Sequence, residues 1–271
     1  MAESRLTRSR RPVLMMSVAV ALLAVTNIAV LGWGRLGLPA PVVVNVSAPV
    51  MGTPPTLAAP PAPPAPPPFQ APASTLLAAP HGSIAAFAHP GGPQSGTVGT
   101  WYGYAMVLPV VAQQPGWLEV RLPQRPNGST AWVRADAVTV SSTGYFILVD
   151  LSKEHLTVYQ AAQAVMSFPV GVGVAATPTV TGDYFVAVHE PHADPLLGPV
   201  VLDTSAHSDA IQSWEGSGDA IIAIHGPVDQ AADARIATNG ARVSNGCIRL
   251  HTADQLRLSV IPAGTPVDII A

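Results

Sequence analysis

The chain has 271 residues, with 13 lysines and arginines against 16 aspartates and glutamates, and a formal charge of −3. This length suits one to three domains. The chain lacks the clustered basic charge of a nucleic-acid-binding protein, so we expect no nucleic-acid partner. Charged residues make up only 11% of the chain, whereas Pro (29) and Gly (23) are abundant. This composition favours linkers and turn-rich segments.

The N-terminal segment joins basic charge to a long apolar run. Four arginines lie between residues 5 and 11, and an uncharged apolar run extends from Val13 to about Trp33. About twenty such residues are enough to cross a bilayer as a helix, and the basic flank predicts that the N-terminus stays in the cytoplasm. We therefore predict that residues 1–37 form a cytoplasmic tail and one transmembrane helix, with the rest on the extracytoplasmic, cell-wall side of the cell membrane. The alternatives are a cleaved signal peptide and a buried helix of a soluble domain.

Residues 38–74 are predicted to be a Pro-rich linker, most dense between Pro60 and Pro68. Proline fixes φ and removes a backbone donor, which excludes helix and central strand. Polyproline II would span on the order of 100 Å if fully extended. We expect a stiff spacer that holds the following domains off the membrane, with a ligand for a Pro-binding domain as the alternative.

Residues 75–142 are predicted to form a small β domain. The segment from Trp117 to Leu122 alternates between apolar and polar side chains, as in a half-buried strand. Pro126-Asn127-Gly128-Ser129 is typical of a hairpin turn, and Thr130 to Val133 is the next short strand.

The spacing of Gly116-Trp117, Trp132-Val133 and Asp136 resembles bacterial SH3-like domains, which are small β-barrels that often accompany cell-wall enzymes. The resemblance implies that the tryptophans lie in the barrel core. The alternative is that peptide or glycan is bound by Trp101, Tyr102 or Tyr104.

The C-terminal part, residues 143–271, carries the residue types of a nucleophilic site. Cys247 is the only cysteine, and about twenty residues upstream an apolar run ends in His225-Gly226. A lone thiol with a separated histidine is typical of Cys/His nucleophilic catalysis, because an imidazole can take the thiol proton. A buried structural thiol is the alternative.

The residues around the cysteine suit the same chemistry. Gly246 permits a sharp turn that points main-chain N–H groups at a developing oxyanion. Ser244 is expected to hydrogen-bond within this turn or to substrate. Arg249 is expected to pair with a substrate carboxylate.

These motifs resemble the L,D-transpeptidase (YkuD-type) family over roughly residues 144–271. The resemblance rests on His225-Gly226 and on Ser244-Asn245-Gly246-Cys247-Ile248-Arg249, where Asn245 stands in place of the histidine most common in the family. The opening strand from Tyr145 and the altered Thr-Pro segment at Pro178 to Phe185 also resemble the family. The implied fold class is mainly β: a small SH3-like β-barrel followed by a β-sandwich-like catalytic domain.

The resemblance implies a peptidoglycan L,D-transpeptidase that forms cross-links between third stem residues. Cys247 would form a thioester, His225 would move protons while the Gly226 carbonyl orients its imidazole, and Gly246, Ser244, Asn245 and Arg249 would surround the substrate. The implied partners are peptidoglycan stem peptides and carbapenem-type inhibitors, with no metal or organic cofactor. The alternatives are a cysteine hydrolase or carboxypeptidase on the same site, and a non-catalytic wall-binding protein.

Two further segments carry histidines. Val200 to Ala220 resembles the family's flap over the cleft, in which His207 is expected to contact substrate or to lie in a solvated loop. His189 and His192 are three residues apart with a proline between them, which does not fit the two-histidine zinc helix. We therefore predict no metal site.

Overall fold

The computed structural model describes residues 69–194, 196–238 and 240–271, without the side chains of residues 190–194. In this part of the chain the fold is mainly β, as predicted. The predicted anchor and most of the predicted linker lie outside the described residues. None of the helices in the described part has the length and apolar character needed to span a bilayer. Pro64–Ala271 forms one compact unit.

The region before residue 144 consists of nine strands and one short 3-10 helix at Ala135–Ala137. The strands are β1 Thr75–Pro80, β2 Ile84–Phe87, β3 Gln94–Val98, β4 Thr100–Trp101, β5 Tyr104–Ala105, β6 Leu108–Gln114, β7 Trp117–Arg121, β8 Thr130–Arg134 and β9 Val138–Thr143. Seven of them form a sheet in the order β3-β2-β8-β7-β6-β1-β9, and β4 and β5 pair as a separate hairpin. The assignment to SH3-like domains stays a prediction.

The expected core position of the tryptophans is wrong for Trp117 and Trp132. Alternation along β7 buries Leu118 and Val120, which places Trp117 on the opposite face. Trp132 is likewise only half-buried on β8, between Ala131 and a fully buried Val133. The outer face therefore carries Trp117 and Trp132, while mainly small and branched aliphatic side chains of these strands fill the interior.

The C-terminal region has ten strands, two six-residue helices and a second 3-10 helix at Leu258–Val260. The elements are β10 Tyr145–Asp150, β11 His155–Gln160, β12 Gln163–Pro169, β13 Val172–Gly173, β14 Gly182–Asp194, β15 Gly198–His207, β16 Ile221–His225, α1 Gln230–Arg235, β17 Arg242–Ser244, β18 Ile248–Arg249, α2 Thr252–Arg257 and β19 Pro266–Ile270. Eight strands form a sheet in the order β12-β11-β10-β19-β14-β15-β16-β18. This places β16 and β18, which flank the candidate site, at one edge.

Strand β14 is shared by the two predicted domains. Tyr184 and Val186 face the main core of the eight-stranded sheet. Phe185 and Ala187 point the other way and pack into the core of the seven-stranded sheet. The two sheets are therefore held together by one continuous apolar strand rather than by a linker.

The end of the predicted linker packs onto the outer face of β10. Phe69 lies 5.5 Å from the ring of Phe146 and 5.8 Å from that of Tyr159. Ala71 is buried with Phe146 and Leu148. These last linker residues thus cover a face of the sheet that would otherwise expose apolar side chains.

Candidate active site

Two neighbouring strands bring Cys247 and His225 into the same cleft. Strands β16 and β18 run parallel, with Ile224 opposite Ile248. Successive side chains of a strand point to opposite faces, so Ile224 and Ile248 enter the core while the residues beside them face outward. Ala223, His225 and Cys247 accordingly line one open cleft.

The turn before Cys247 requires its glycine. Gly246 has a φ of +126°, and a Cβ at this position would lie 2.7 Å from Cδ1 of the buried Ile222. The main-chain oxygen of Gly246 accepts a hydrogen bond from Thr179 Oγ1 at 2.7 Å. Only a residue without a side chain fits this backbone and this close approach.

Ser244 closes the turn from inside. Its Oγ accepts a hydrogen bond from the Gly246 N–H at 3.1 Å and donates one to the Cys247 carbonyl at 2.6 Å. Of the two roles considered for Ser244, the structure shows the one within the turn. The Gly246 N–H is thereby occupied, so Gly246 does not offer the oxyanion donor that we expected of it.

The imidazole of His225 is held in one tautomer. Its Nδ1 lies 2.8 Å from the Gly226 carbonyl, which can only accept, so Nδ1 carries the proton and Nε2 keeps its lone pair. Gly226 itself donates its N–H to the Leu197 carbonyl at 2.8 Å. A Cβ on Gly226 would lie 2.9 Å from that same oxygen, which explains the glycine after the histidine.

The thiol of Cys247 is partly exposed and touches the backbone of β16. The Ala223 N–H lies 3.5 Å from Sγ, and the Ile221 carbonyl lies 3.9 Å from it. Burial raises the pKa of this thiol, and the Ala223 N–H and the Arg249 guanidinium oppose that effect. The Asp203 carboxylate raises the pKa further. The resting group at neutral pH is thus the thiol, which must lose its proton to react.

Arg249 and Asn245 flank the cysteine. Both line the cleft. Arg249 is half-buried and donates from Nη1 to the Val243 carbonyl at 2.7 Å, while its Nε is buried without a hydrogen-bond partner. Asn245 is exposed and accepts a hydrogen bond from Thr177 Oγ1 at 3.3 Å.

The cleft has a volume of about 910 Å³ and extends well beyond the cysteine. Its walls come from the eight-stranded sheet and from segments outside the two large sheets. The β4–β5 hairpin contributes Trp101, Tyr102 and Tyr104, and the segment after β15 contributes Trp214. A site of this size is large enough for a drug-sized or oligomeric ligand.

The expectations for the flap and for His207 need correction. Residues 200–207 belong to β15 inside the sheet, so only residues 208–220 form an irregular segment beside the cleft. His207 is 1% exposed, and its Nδ1 lies 3.0 Å from Asp219 Oδ1. Asn127 from the first sheet bonds both the N–H and the carbonyl of His207, at 2.9 and 2.8 Å. His207 is therefore a buried residue that connects the two sheets.

No cluster of three or more metal-ligating side chains occurs among the described residues. His189 Nδ1 lies 2.7 Å from the Ile261 carbonyl. The other members of that segment have side chains outside the description.

The C-terminal region of the chain matches the model of a known protein family. The model of the YkuD L,D-transpeptidase catalytic domain matches residues 144–269, just under half of the chain. Residues 144–269 are therefore similar to a YkuD-type L,D-transpeptidase catalytic domain. The match includes β10, the His225-Gly226 pair, the cysteine turn and nearly all of β19.

Curated relatives of the transpeptidase domain occur in Bacillus. A putative L,D-transpeptidase YkuD of Bacillus licheniformis is 29% identical over 126 residues, which are 46% of this chain and 65% of that protein. The corresponding Bacillus subtilis protein is 28% identical over the same shares. The chain thus spans 65% of the length of these relatives, just under two-thirds.

Solved structures with a similar arrangement include an L,D-transpeptidase from Mycobacterium smegmatis, with 14% identity, a TM-score of 0.38, and coverage of 64% of this chain and 93% of that chain. Another is the catalytic domain of the Enterococcus faecium L,D-transpeptidase acylated by ertapenem. It has 20% identity, a TM-score of 0.35, and coverage of 46% of this chain and 96% of that chain.

Sequence reasoning missed three residues of the transpeptidase domain that shape the site. Asp203 lies opposite Ala223 in the sheet and lines the cleft beside the thiol. Gln255 is fully buried on α2 and donates to the carbonyls of Leu197 and Val200, fixing the segment that packs on Gly226. Thr179 bonds the cysteine turn. The one sequence signal for Asp203 was its position as a polar residue within an otherwise apolar strand.

Proposed function

We propose that the protein is a peptidoglycan L,D-transpeptidase that forms cross-links between third stem residues through a thioester on Cys247. The observation that supports this most is that Cys247 and His225, which end up on neighbouring segments of the sheet edge, line the same cleft. The Nδ1 proton of that histidine is fixed by the Gly226 carbonyl. This arrangement offers a nucleophile and a base in which the nitrogen that carries the proton is defined.

In the first half of the reaction, Sγ of Cys247 attacks the carbonyl of the third stem residue in a donor tetrapeptide. The S–C bond forms as the thiol proton passes to Nε2 of His225. The C–N bond to the terminal D-alanine then breaks, and Nε2 returns that proton to the departing amine. The Gly226 carbonyl stabilises the transient imidazolium through the Nδ1–H bond.

In the second half, the side-chain amine of an acceptor stem attacks the thioester. Nε2 takes a proton from that amine, the new C–N bond forms, and the S–C bond breaks as the thiol is regenerated. We assign the oxyanion of both tetrahedral intermediates to the Cys247 N–H, since Ser244 occupies the Gly246 N–H. Removing one such donor typically costs about 3–4 kcal/mol of transition-state stabilisation.

The enzyme assignment is tested by intact-mass analysis with ertapenem, chosen because it acylates the Enterococcus faecium domain. The wild-type chain is expected to gain the mass of one inhibitor, and Cys247→Ala to gain none. His225→Ala is expected to be acylated at a much lower rate. A wild-type protein without mass gain, or with equal gain in Cys247→Ala, refutes the assignment of the nucleophile.

Product analysis with a disaccharide-tetrapeptide then identifies the acceptor. Transpeptidation predicts a cross-linked dimer and one free D-alanine per bond formed. Release of D-alanine with only tripeptide product identifies water as the acceptor and refutes the cross-linking function. Both outcomes require Cys247.

We also propose that residues 1–37 anchor the enzyme in the cell membrane with the catalytic domain on the cell-wall side. The support is the basic flank and the apolar run from Val13 to Trp33. Fractionation of cells that express the full chain is expected to place it in the membrane, and a chain without residues 1–37 in the soluble fraction. Release of the full chain by a salt wash argues against the anchor.

A further inference from the structure

The β4–β5 hairpin, which pairs separately from the seven-stranded sheet, forms one wall of the cleft. Trp101 and Tyr104 pair across this hairpin, and both line the cleft together with Tyr102. Tyr102 and Tyr104 are 58% and 47% exposed. Large exposed aromatic side chains around a concave site are characteristic of binding surfaces rather than of a packed core.

The backbone at Tyr102 indicates that its side chain has a role other than stability. The hairpin turns through Tyr102 and Gly103, whose φ values are +48° and +88°. A two-residue turn with both φ positive favours Asn-Gly. A bulky residue in the left-handed region costs roughly 1–2 kcal/mol in conformational energy. Residues held in such conformations cluster at ligand-binding sites.

The segment after β15 forms a second wall of the cleft, and Asp219 makes hydrogen bonds to residues of both walls. Tyr102 OH lies 3.5 Å from Asp219 Oδ2, and Arg125 donates to Oδ1 at 3.0 Å. The main-chain oxygen of Asp219 accepts the Trp214 N–H at 2.7 Å. The Trp214 side chain is 49% exposed and lines the cleft. Asp219 therefore contacts both aromatic walls, through the hydroxyl of Tyr102 and the main chain of Trp214.

The charged residues of this cleft determine which classes of ligand it favours. Of the described residues that line it, Arg249 is the single lysine or arginine, and it lies next to Cys247. The cleft also carries Glu215 and Asp219. Carboxylates repel the free carboxylates of a stem peptide, whereas they accept hydrogen bonds from neutral hydroxyl groups. Aromatic side chains with a polar tip suit the flat C–H faces and outward hydroxyls of sugar rings.

We propose that Tyr102, Tyr104 and Trp214 form a subsite for the neutral amino-sugar strand of the wall polymer, so that the β4–β5 hairpin takes part in substrate recognition. The proposal rests on the proposed function for the peptide end of the substrate. It makes the enzyme select stem peptides that are still attached to glycan. The stem peptide would bind at the end of the cleft that holds the thiol, and the sugar would bind at the end that holds the aromatic side chains.

The first test compares kcat/KM for a disaccharide-tetrapeptide donor and for the same tetrapeptide without sugar. The wild-type chain is expected to prefer the disaccharide form. Tyr104→Ala and Trp214→Ala should each lower that preference about three- to tenfold, the range of an aromatic contact. Val140→Ala, an equally exposed apolar residue on β9, should leave the preference unchanged. Equal use of both donors by the wild type, or an equal loss on both donors in the variants, overturns the subsite.

The second test does not depend on turnover, so it separates failure of the subsite from failure of the proposed function. A neutral N-acetylglucosamine tetramer is titrated calorimetrically into Cys247→Ala protein. We expect saturable binding that changes little between 50 mM and 500 mM salt and is lost in Tyr104→Ala/Trp214→Ala. Tyr102→Phe, which keeps the ring, should still bind. No binding to the Cys247→Ala protein, or binding that the double substitution does not affect, contradicts the proposal even if the enzyme is active.

Discussion

Gly246→Ala is the substitution that probes the cysteine turn most directly. The new Cβ meets a φ of +126° and lies 2.7 Å from Cδ1 of Ile222, a side chain that is 1% exposed. The backbone conformation costs roughly 1–2 kcal/mol for a residue with a side chain. Overpacking a close-packed core costs about 1–3 kcal/mol. The free energy of unfolding should therefore fall by about 2–5 kcal/mol, a large part of the stability of an ordinary domain.

A second substitution separates these two contributions. Ile222→Val removes Cδ1, the atom that the new Cβ would strike, and by itself costs about 0.5–1.5 kcal/mol. In the double variant Gly246→Ala/Ile222→Val the clash is relieved but the strained φ remains. The two changes should therefore be less than additive, with a coupling of about 1–3 kcal/mol.

Urea denaturation of the four proteins in this cycle measures the coupling, and ertapenem acylation reports the position of Sγ. We expect the double variant to recover stability but to stay slow in acylation, because an altered backbone at residue 246 moves Cys247. Additive losses of stability would show that Ile222 does not limit this position. Acylation at the wild-type rate in Gly246→Ala would refute the link between the turn and the nucleophile.

Three further predictions concern carboxylates. Asp203→Asn removes a charge that raises the pKa of the Cys247 thiol, so the pH profile of iodoacetamide alkylation should move to lower pH; an unchanged profile contradicts this. Burial opposes the charge of Asp219, but hydrogen bonds from a histidine, a main-chain N–H and Arg125 outweigh it and lower its pKa. Asp219→Asn should therefore cost about 1–3 kcal/mol at pH 7 and less as the pH falls through the native pKa, measured by urea denaturation. Burial and a second carboxylate raise the pKa of Asp268 to about 6. Ionisation of this carboxyl thus destabilises the fold progressively as the pH rises from its ordinary pKa of about 4 to its native pKa of about 6, and Asp268→Asn should stabilise by about 2–3 kcal/mol at pH 8 with little gain at pH 4.

The candidate site could be located from the sequence because the relevant signal is local. A single cysteine after a glycine is visible without any fold, and the positive φ of Gly246 follows from the same short segment. The strands at β7 and β8 and the start of β10 were also predicted near their observed bounds, since alternation and apolar runs determine them.

The sequence could not show which face of a strand meets which neighbour. Trp117 and Leu118 are both apolar, and only the pairing of β7 within the sheet decides that Leu118 enters the core. The division of β14 between two cores is likewise invisible in a run of apolar residues. The prediction that His207 contacts substrate or lies in a solvated loop failed for the same reason. Its partner Asn127 is distant in the sequence, and its partner Asp219 lies in an irregular segment.

The two histidines 207 and 225 show how position in one sheet gives the same residue type different roles. Both end a strand, and both are almost fully buried. His207 Nδ1 faces the Asp219 carboxylate, which holds it as part of the contact between the sheets. His225 Nδ1 instead donates to the neutral Gly226 carbonyl, and its ring lines the cleft one strand from Cys247. The carbonyl of Gly226 holds the proton on Nδ1, and in the proposed mechanism the imidazole takes and returns a proton through Nε2.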